Sequence, residues 1–214
     1  MKVKLMGYTQ TVPETFIGID NLQDFVAYCA RVSNPTNQMN SDTAEKLIKY
    51  LIKHKHWSPF ELANMCVEIQ TSRAIAAQIL RHRSFSFQEF SQRYSKATEM
   101  EPLELRAPAE KNRQSSSEIV QDEYFNRMAA AFLEGSKQMY DQLIAAGVAK
   151  ECARMILPLN TQTTMYMNGS IRSWIHYIEL RSANGTQKEH MDIANSCKDI
   201  FKKQFPVIAE ALDW

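Results

Sequence analysis

From Ala63 to Gln70 the chain alternates without a break, with Ala63, Met65, Val67 and Ile69 on one side and Asn64, Cys66, Glu68 and Gln70 on the other. Side chains leave an extended chain on alternate faces, so this tract specifies a strand with one buried and one open face. Ser72 follows, and behind it Ile75, Ile79 and Leu80 recur at helical spacing. Ser72 is therefore read as the N-cap of a helix over residues 73–81. The fold has to accommodate a half-buried strand that hands over directly to a helix.

The remaining elements follow from the same two periods. Residues 3–9 read as a short opening strand, and Leu22, Phe25, Val26 and Cys29 predict a helix over 22–32 that Asn34-Pro35 stops. Ser41 or Asp42 can cap a second helix, with Leu47, Ile48, Leu51 and Ile52 as its apolar stripe, and Ser58-Pro59 then turns the chain. Residues 91–96 suit strand or loop, and 101–116, lacking any periodicity, suit an exposed loop. The longest helix is expected over 118–146, where Val120, Tyr124, Met128, Phe132, Gly135, Met139 and Leu143 recur every three or four residues until Gly147. A short helix over 150–156 ends at Pro158, and 161–167 suits a strand. Ser170 is read as the N-cap of a helix over 171–180. A last helix over 187–203 turns Met191, Ala194, Cys197 and Phe201 inward. Strands that are not strung on regular βαβ units predict an α+β class, a small, mostly antiparallel sheet packed with several long helices in a single domain over 1–214.

Composition narrows the function. With 25 Lys and Arg against 24 Asp and Glu the net charge is +1, so the molecule as a whole is no polyanion-binding surface and any anion site is local. No apolar stretch approaches the ~20 residues of a membrane span, and no apolar segment precedes a cleavage site, so a cytoplasmic protein is expected. The six glycines form neither G-x-G-x-x-G nor G-x-x-x-x-G-K-[ST]. Cys29, Cys66, Cys152 and Cys197 form no C-x-x-C pair and read as reduced thiols. His54, His56 and Glu61 are metal-ligand types, but histidines two apart without further clustered ligands are better read as a hydrogen-bonded loop, and no metal is expected.

Between Ser72 and Lys96 stand five basic residues, Arg73, Arg81, Arg83, Arg93 and Lys96, against one acid, Glu89, a local charge of +4. Interleaved are His82, Gln88 and the hydroxyls of Ser84, Ser86, Ser91, Tyr94 and Ser95, a dense supply of donors for phosphates and heterocycle edges. The plain alternative is a solvated basic turn. Spacing argues against it: Arg81, His82 and Arg83 at a helix end cannot all point one way. Glu89, Ser91 and Arg93 alternate, and in an extended chain would face the same direction.

The run Arg81-His82-Arg83-x-x-Ser86-x-Gln88-Glu89-x-Ser91-x-Arg93-Tyr94-Ser95 closely resembles the signature of the flavin-dependent thymidylate synthases, with Gln88 where that family has Asn. Ala30-Arg31-Val32-Ser33, His56-Trp57-Ser58-Pro59-Phe60-Glu61, Ala153-Arg154 to Leu157-Pro158, and Arg172, His176 and Arg181 are similar to further family segments in the same order. Leu62 stands where a His is usual and Ser170 where an Asn is common. The resemblance implies a homotetramer binding FAD and dUMP across subunit interfaces, with methylenetetrahydrofolate as carbon donor and NADPH as reductant, and no nucleic-acid or membrane partner. It assigns FAD to Ser58, Arg81, His82, Arg83, Glu89, Ser170, Ile171, Arg172 and His176. It assigns dUMP to Gln78, Ile79, Leu80, Arg81, Glu89, Phe90, Ser91, Gln92, Arg93, Arg154 and Arg181, with Arg181 activating the uracil ring.

These assignments make chemical sense. Arg93 and Arg154 can neutralise a nucleotide phosphate, and Arg81 and Arg83 can grip a diphosphate in the absence of a glycine loop. A guanidinium beside O2 and N3 of uracil stabilises charge that develops when C5 is made nucleophilic. Ser91 as a nucleophile at C6 would need a neighbouring base, and no His or Lys stands beside it. Apart from the resemblance, His176 reads as a core histidine on an apolar helix face. A competing reading takes residues 81–96 as a nucleic-acid surface with Phe85, Phe87, Phe90 and Tyr94 as stacking platforms, and a third has a flavin enzyme methylate uracil within RNA.

Overall fold

The computed structural model describes residues 1–12, 18–19, 21–96 and 99–214. In chain order its elements are β1 (Lys2–Tyr8), α1 (Leu22–Ala30), α2 (Ala44–Lys53), β2 (Asn64–Ser72), α3 (Arg73–Ile79), β3 (Phe85–Glu89), β4 (Arg106–Pro108), β5 (Ser116–Ile119), α4 (Glu123–Ala145), α5 (Lys150–Ala153), β6 (Gln162–Ser170), α6 (Ile171–Arg181), α7 (Lys188–Gln204) and α8 (Pro206–Ala211). Short 3-10 turns at Pro35–Asn37, Ser58–Glu61 and Arg154–Ile156 join several of them. The class is α+β, with an antiparallel sheet in the order β1-β2-β6-β3.

The alternation that opened the sequence reading is β2, with Met65, Val67 and Ile69 sealed in the core. Its partner β6 pairs with it along its whole length, from Asn64 opposite Ser170 to Ser72 opposite Gln162. Each strand ends in a serine that caps the next helix: Ser72 Oγ accepts from Ile75 N, and Ser170 Oγ accepts from Ser173 N. The two strand–serine–helix units are thus related by a local two-fold, although their sequences do not repeat. Both helices fold back over the same sheet face, where Ile75, Ile79, Trp174 and Ile178 join Met165 and Met167, and α7 closes the layer with Ala194, Cys197 and Phe201. Burying this apolar surface is the main drive for the packing.

Several expectations are corrected. α2 begins after Thr43, which gives no side-chain cap bond, so neither Ser41 nor Asp42 caps it. α1 ends at Ala30, ahead of Asn34-Pro35. Within the expected loop at 101–116, Arg106–Pro108 is a strand that pairs with Ser116–Ile119, a hairpin between non-local polar segments that periodicity does not reveal. The long helix starts at Glu123 under an Asp122 cap rather than at 118, because 116–119 is committed to that hairpin. α4 also faces away from the core: Tyr140 is fully buried, while Tyr124, Met128, Phe132 and Met139 are 51–67% exposed. The stripe is real, but nothing among the described residues covers it. α8 was not foreseen. No helix among the described residues is long and apolar enough to cross a membrane.

Candidate functional site

α3 ends at Ile79, and Arg81, His82 and Arg83 lie in the turn into β3. Arg81 and Arg83 are exposed, whereas the half-buried His82 ring lies edge-on to Tyr177 with centroids 4.9 Å apart. Arg181, the last residue of α6, donates Nε to His82 Nε2 at 2.9 Å. A guanidinium can only donate, so His82 Nε2 carries a lone pair and the neutral ring keeps its proton on Nδ1. Burial, together with the positive charge of Arg181, lowers the His82 pKa to about 4. The bond uses Arg181 Nε and holds the guanidinium plane, leaving its two terminal amino groups for other acceptors.

At the start of α3, Arg73 holds Glu89 with Nη1 at 3.0 Å and Phe90 O with Nη2 at 2.9 Å. Thr163 of β6 donates to the same Glu89 oxygen at 2.9 Å. Beyond Phe90 the chain turns, with Ser91 O accepting from Tyr94 N and Ser95 N. The expected extended alternation of Glu89, Ser91 and Arg93 is therefore corrected: the strand stops at Glu89. Arg93 pairs with Glu151 of α5 at 3.0 Å, and a cleft of about 360 Å³ opens between Ser91, Arg93, Tyr94 and Lys150. Buried donors Arg154 Nε and Gln92 Nε2 have no hydrogen-bond partner among the described residues. Buried donors are ordinarily satisfied, so both are suited to a ligand acceptor.

A second cleft, of about 500 Å³, is lined by Lys55, Trp57, Glu61, Ser84, Arg172 and His176. Glu61 accepts from Arg172 Nη1 at 2.7 Å and from Ser170 Oγ at 2.5 Å. Partial burial acts against ionisation, but these two hydrogen bonds outweigh it and hold the Glu61 carboxyl below the usual range. Ser58 opens the same 3-10 turn as Glu61. His176 is exposed and lines this cleft, which removes the core-histidine reading. Ile79 and Ile171 are fully buried, so either could meet a ligand only through its backbone.

The expected residues thus fall into three groups in one chain: Gln78, His82 and Arg181 where α3 and α6 end, Glu89 to Arg154 around β3 and α5, and Ser58, Ser170, Arg172 and His176 at the second cleft. Sequence reasoning gave no role to Glu61, Arg73 or Thr163. Arg73 carried a signal as a cation of the basic segment left without a role, and Glu61 as the last residue of the His56–Glu61 segment; Thr163 carried none. Phe85 and Phe87 pack against the core, which deprives the nucleic-acid reading of two of its four stacking rings. Among the described residues no three His, Cys, Asp or Glu side chains cluster to hold a metal ion.

For a diphosphate-bearing flavin the chemistry of the donor set fits: Arg172, His176 and Ser84 line the second cleft, and Arg81, Arg83 and Ser58 are exposed. The family model described as thymidylate synthase complementing protein matches residues 17–207. A probable flavin-dependent thymidylate synthase of Paramecium bursaria Chlorella virus 1 is 53% identical over the whole of both chains. A flavin-dependent thymidylate synthase of Synechocystis sp. is 51% identical, again over the whole of both. Among solved structures, a UMP/dUMP methylase from Streptomyces cacaoi bound with 5-Br dUMP superposes with a TM-score of 0.80 at 25% identity, covering 99% of this chain and 94% of that one. This chain belongs to the flavin-dependent thymidylate synthase family.

Proposed function

We propose that the protein forms dTMP from dUMP by reductive methylation, with methylenetetrahydrofolate as carbon donor, FAD as bound cofactor and NADPH as its reductant, in a cytoplasmic homotetramer. The observation that carries this reading is Arg181, fixed through Nε by a neutral His82, with its two terminal amino groups unbonded among the described residues. That fork can donate to O2 and, in the ring ionised at N3, to N3 as well, where charge accumulates as C5 becomes nucleophilic. Arg93 and the unpartnered Arg154 supply cations for the nucleotide phosphate, and Arg81, Arg83, Arg172 and His176 would hold FAD. Its chemistry there is hydride delivery, which no residue of the chain then has to provide. The outward apolar face of α4 supports the tetramer, since contiguous exposed apolar surface of this kind marks contact with another chain. The unpaired cysteines fit a reducing compartment.

Purification tests this. A yellow tetramer is expected, whose flavin spectrum shifts on adding dUMP; a colourless monomer that takes up no added FAD would remove the reading. The thiols provide a second test. Burial raises the Cys29, Cys66 and Cys197 pKa values, opposite to what a nucleophilic thiolate needs. Replacing all four cysteines by Ser or Ala is expected to leave dTMP formation measurable. Cys197, at the α7 core face, should cost about 1–3 kcal/mol of stability. Loss of all product formation in a folded, FAD-loaded Cys152→Ser variant would overturn the non-covalent reading.

A further inference from the structure

A chain of hydrogen bonds runs inward from the β4 hairpin to the centre of α6. Arg106, its side chain only 9% exposed, donates to Glu189 Oε1 at 2.5 Å. Gln187 Nε2 donates to Glu189 Oε2 at 2.9 Å, and Gln78 Nε2 donates to Gln187 Oε1 at 2.7 Å. His190, fully buried on α7, meets Gln78 Oε1 with Nδ1 and the Tyr177 hydroxyl with Nε2, each at 3.2 Å. None of the motifs read from the sequence includes His190 or Tyr177.

The direction of every bond in this chain can be read from its outer end, while the bonds of exposed Gln187 are open to exchange with water and the buried His190–Tyr177 end is not. Despite burial, the hydrogen bond from Arg106 keeps the Glu189 carboxyl below the usual range, so that group is an acceptor only. Gln187 must then present its amino group to Glu189 and its carbonyl to Gln78. Gln78 must in turn give its amino group to Gln187 and its carbonyl to His190. His190 Nδ1 therefore bears the proton, and Nε2 accepts from Tyr177. Two neutral partners are required, and both are present. Burial raises the Tyr177 hydroxyl well above its ordinary pKa. Burial, with the charge of Arg181 behind it, lowers His190 to about 4.

An amide has two faces of nearly equal shape, and an unrestrained Gln samples both. We infer that His190 and Tyr177 are positioning residues that lock the Gln78 amide in one orientation and so fix which of its remaining donor and acceptor sites meets the dUMP pyrimidine. The inference rests on the substrate role proposed for Gln78. It accounts for a buried, paired His190 and Tyr177 that a purely apolar core would make unnecessary: half satisfied, the pair would cost stability, but complete, it specifies one geometry at the inner end of the chain.

The test uses the FAD-loaded enzyme. His190→Leu removes the donor to Gln78, and Tyr177→Phe removes a single oxygen, so that the inference stays testable if the first variant does not fold. Both are expected to raise the dUMP dissociation constant and KM about fivefold to tenfold, the scale of one oriented hydrogen bond, with a smaller change in kcat. His190→Asn, whose Nδ2 amide can take the place of ring Nδ1, is expected to restore most of the affinity. Ring-15N-labelled histidine spectra of the unmodified protein should show His190 protonated on Nδ1. Wild-type dUMP affinity in both Leu and Phe variants, equal weakness in the Asn and Leu variants, or a proton on Nε2 would each overturn the inference alone. A wild-type protein that binds no dUMP would overturn the proposed function as well.

Discussion

Arg181→Ala is expected to lower dTMP formation by about 10²–10³ while leaving the protein folded and FAD-loaded, the scale seen when one preorganised donor to a developing negative charge is removed. The side chain lies at the end of α6, where a cation is favoured by the helix dipole, and it is half-buried against His82. Its loss removes a transition-state interaction rather than core packing, so kcat should fall far more than stability. Arg181→Lys should also be poor. One ammonium cannot bond His82 and address two pyrimidine atoms in a plane. A second readout follows from the pair. With the guanidinium gone, one cause of the depressed His82 pKa disappears, so His82 should titrate at higher pH than in the unmodified protein, with burial still holding it below the ordinary value. Product formation within a few-fold of wild type in either variant would show that another group activates the ring.

What the sequence disclosed about the fold was whatever is encoded locally. The alternation of β2, the serine caps at 72 and 170 and the stop at Gly147, whose φ is +84°, each depend on a few neighbouring residues. The orientation of α4 was not legible, because a 3.5-residue recurrence reveals that a face is apolar and says nothing of what covers it. β3 was obscured differently. Phe85, Ser86, Phe87 and Gln88 do alternate, but the charged signature around them drew attention to Ser91 and Arg93 beyond the strand's end. The site divides along the same line. Its linear signature could be read directly, whereas Thr163 beside Glu89 lies 74 residues away and His190 beside Gln78 lies 112 away, contacts that only the folded sheet and α7 create.

Trp174→Ala is expected to destabilise the protein by about 3–5 kcal/mol, read as the shift of the chemical-unfolding midpoint at fixed protein concentration. The indole is fully buried and heads the fully buried side chains by size. Its Nε1 donates to Met65 O of β2 at 2.8 Å, so it ties α6 to the strand that pairs with β6. Its ring also meets Phe85 edge-on at 4.9 Å, and Phe85 lies so close over Gly169 that a Cβ there would come within 2.4 Å of the Phe85 ring. One side chain therefore clamps three parts of the site, namely α6 with Arg181, β3 with Glu89, and the end of β6 that leads into Ser170. A cavity at this point cannot close by rearranging Phe85 alone, since that ring is pinned against a backbone with no side chain to yield. Trp174→Phe keeps part of the volume but leaves Met65 O short of a donor, and should cost about 1–3 kcal/mol. If Trp174→Ala unfolded within about 1 kcal/mol of wild type, below the usual range for so large a truncation, this clamp would not be what holds α6 against the sheet.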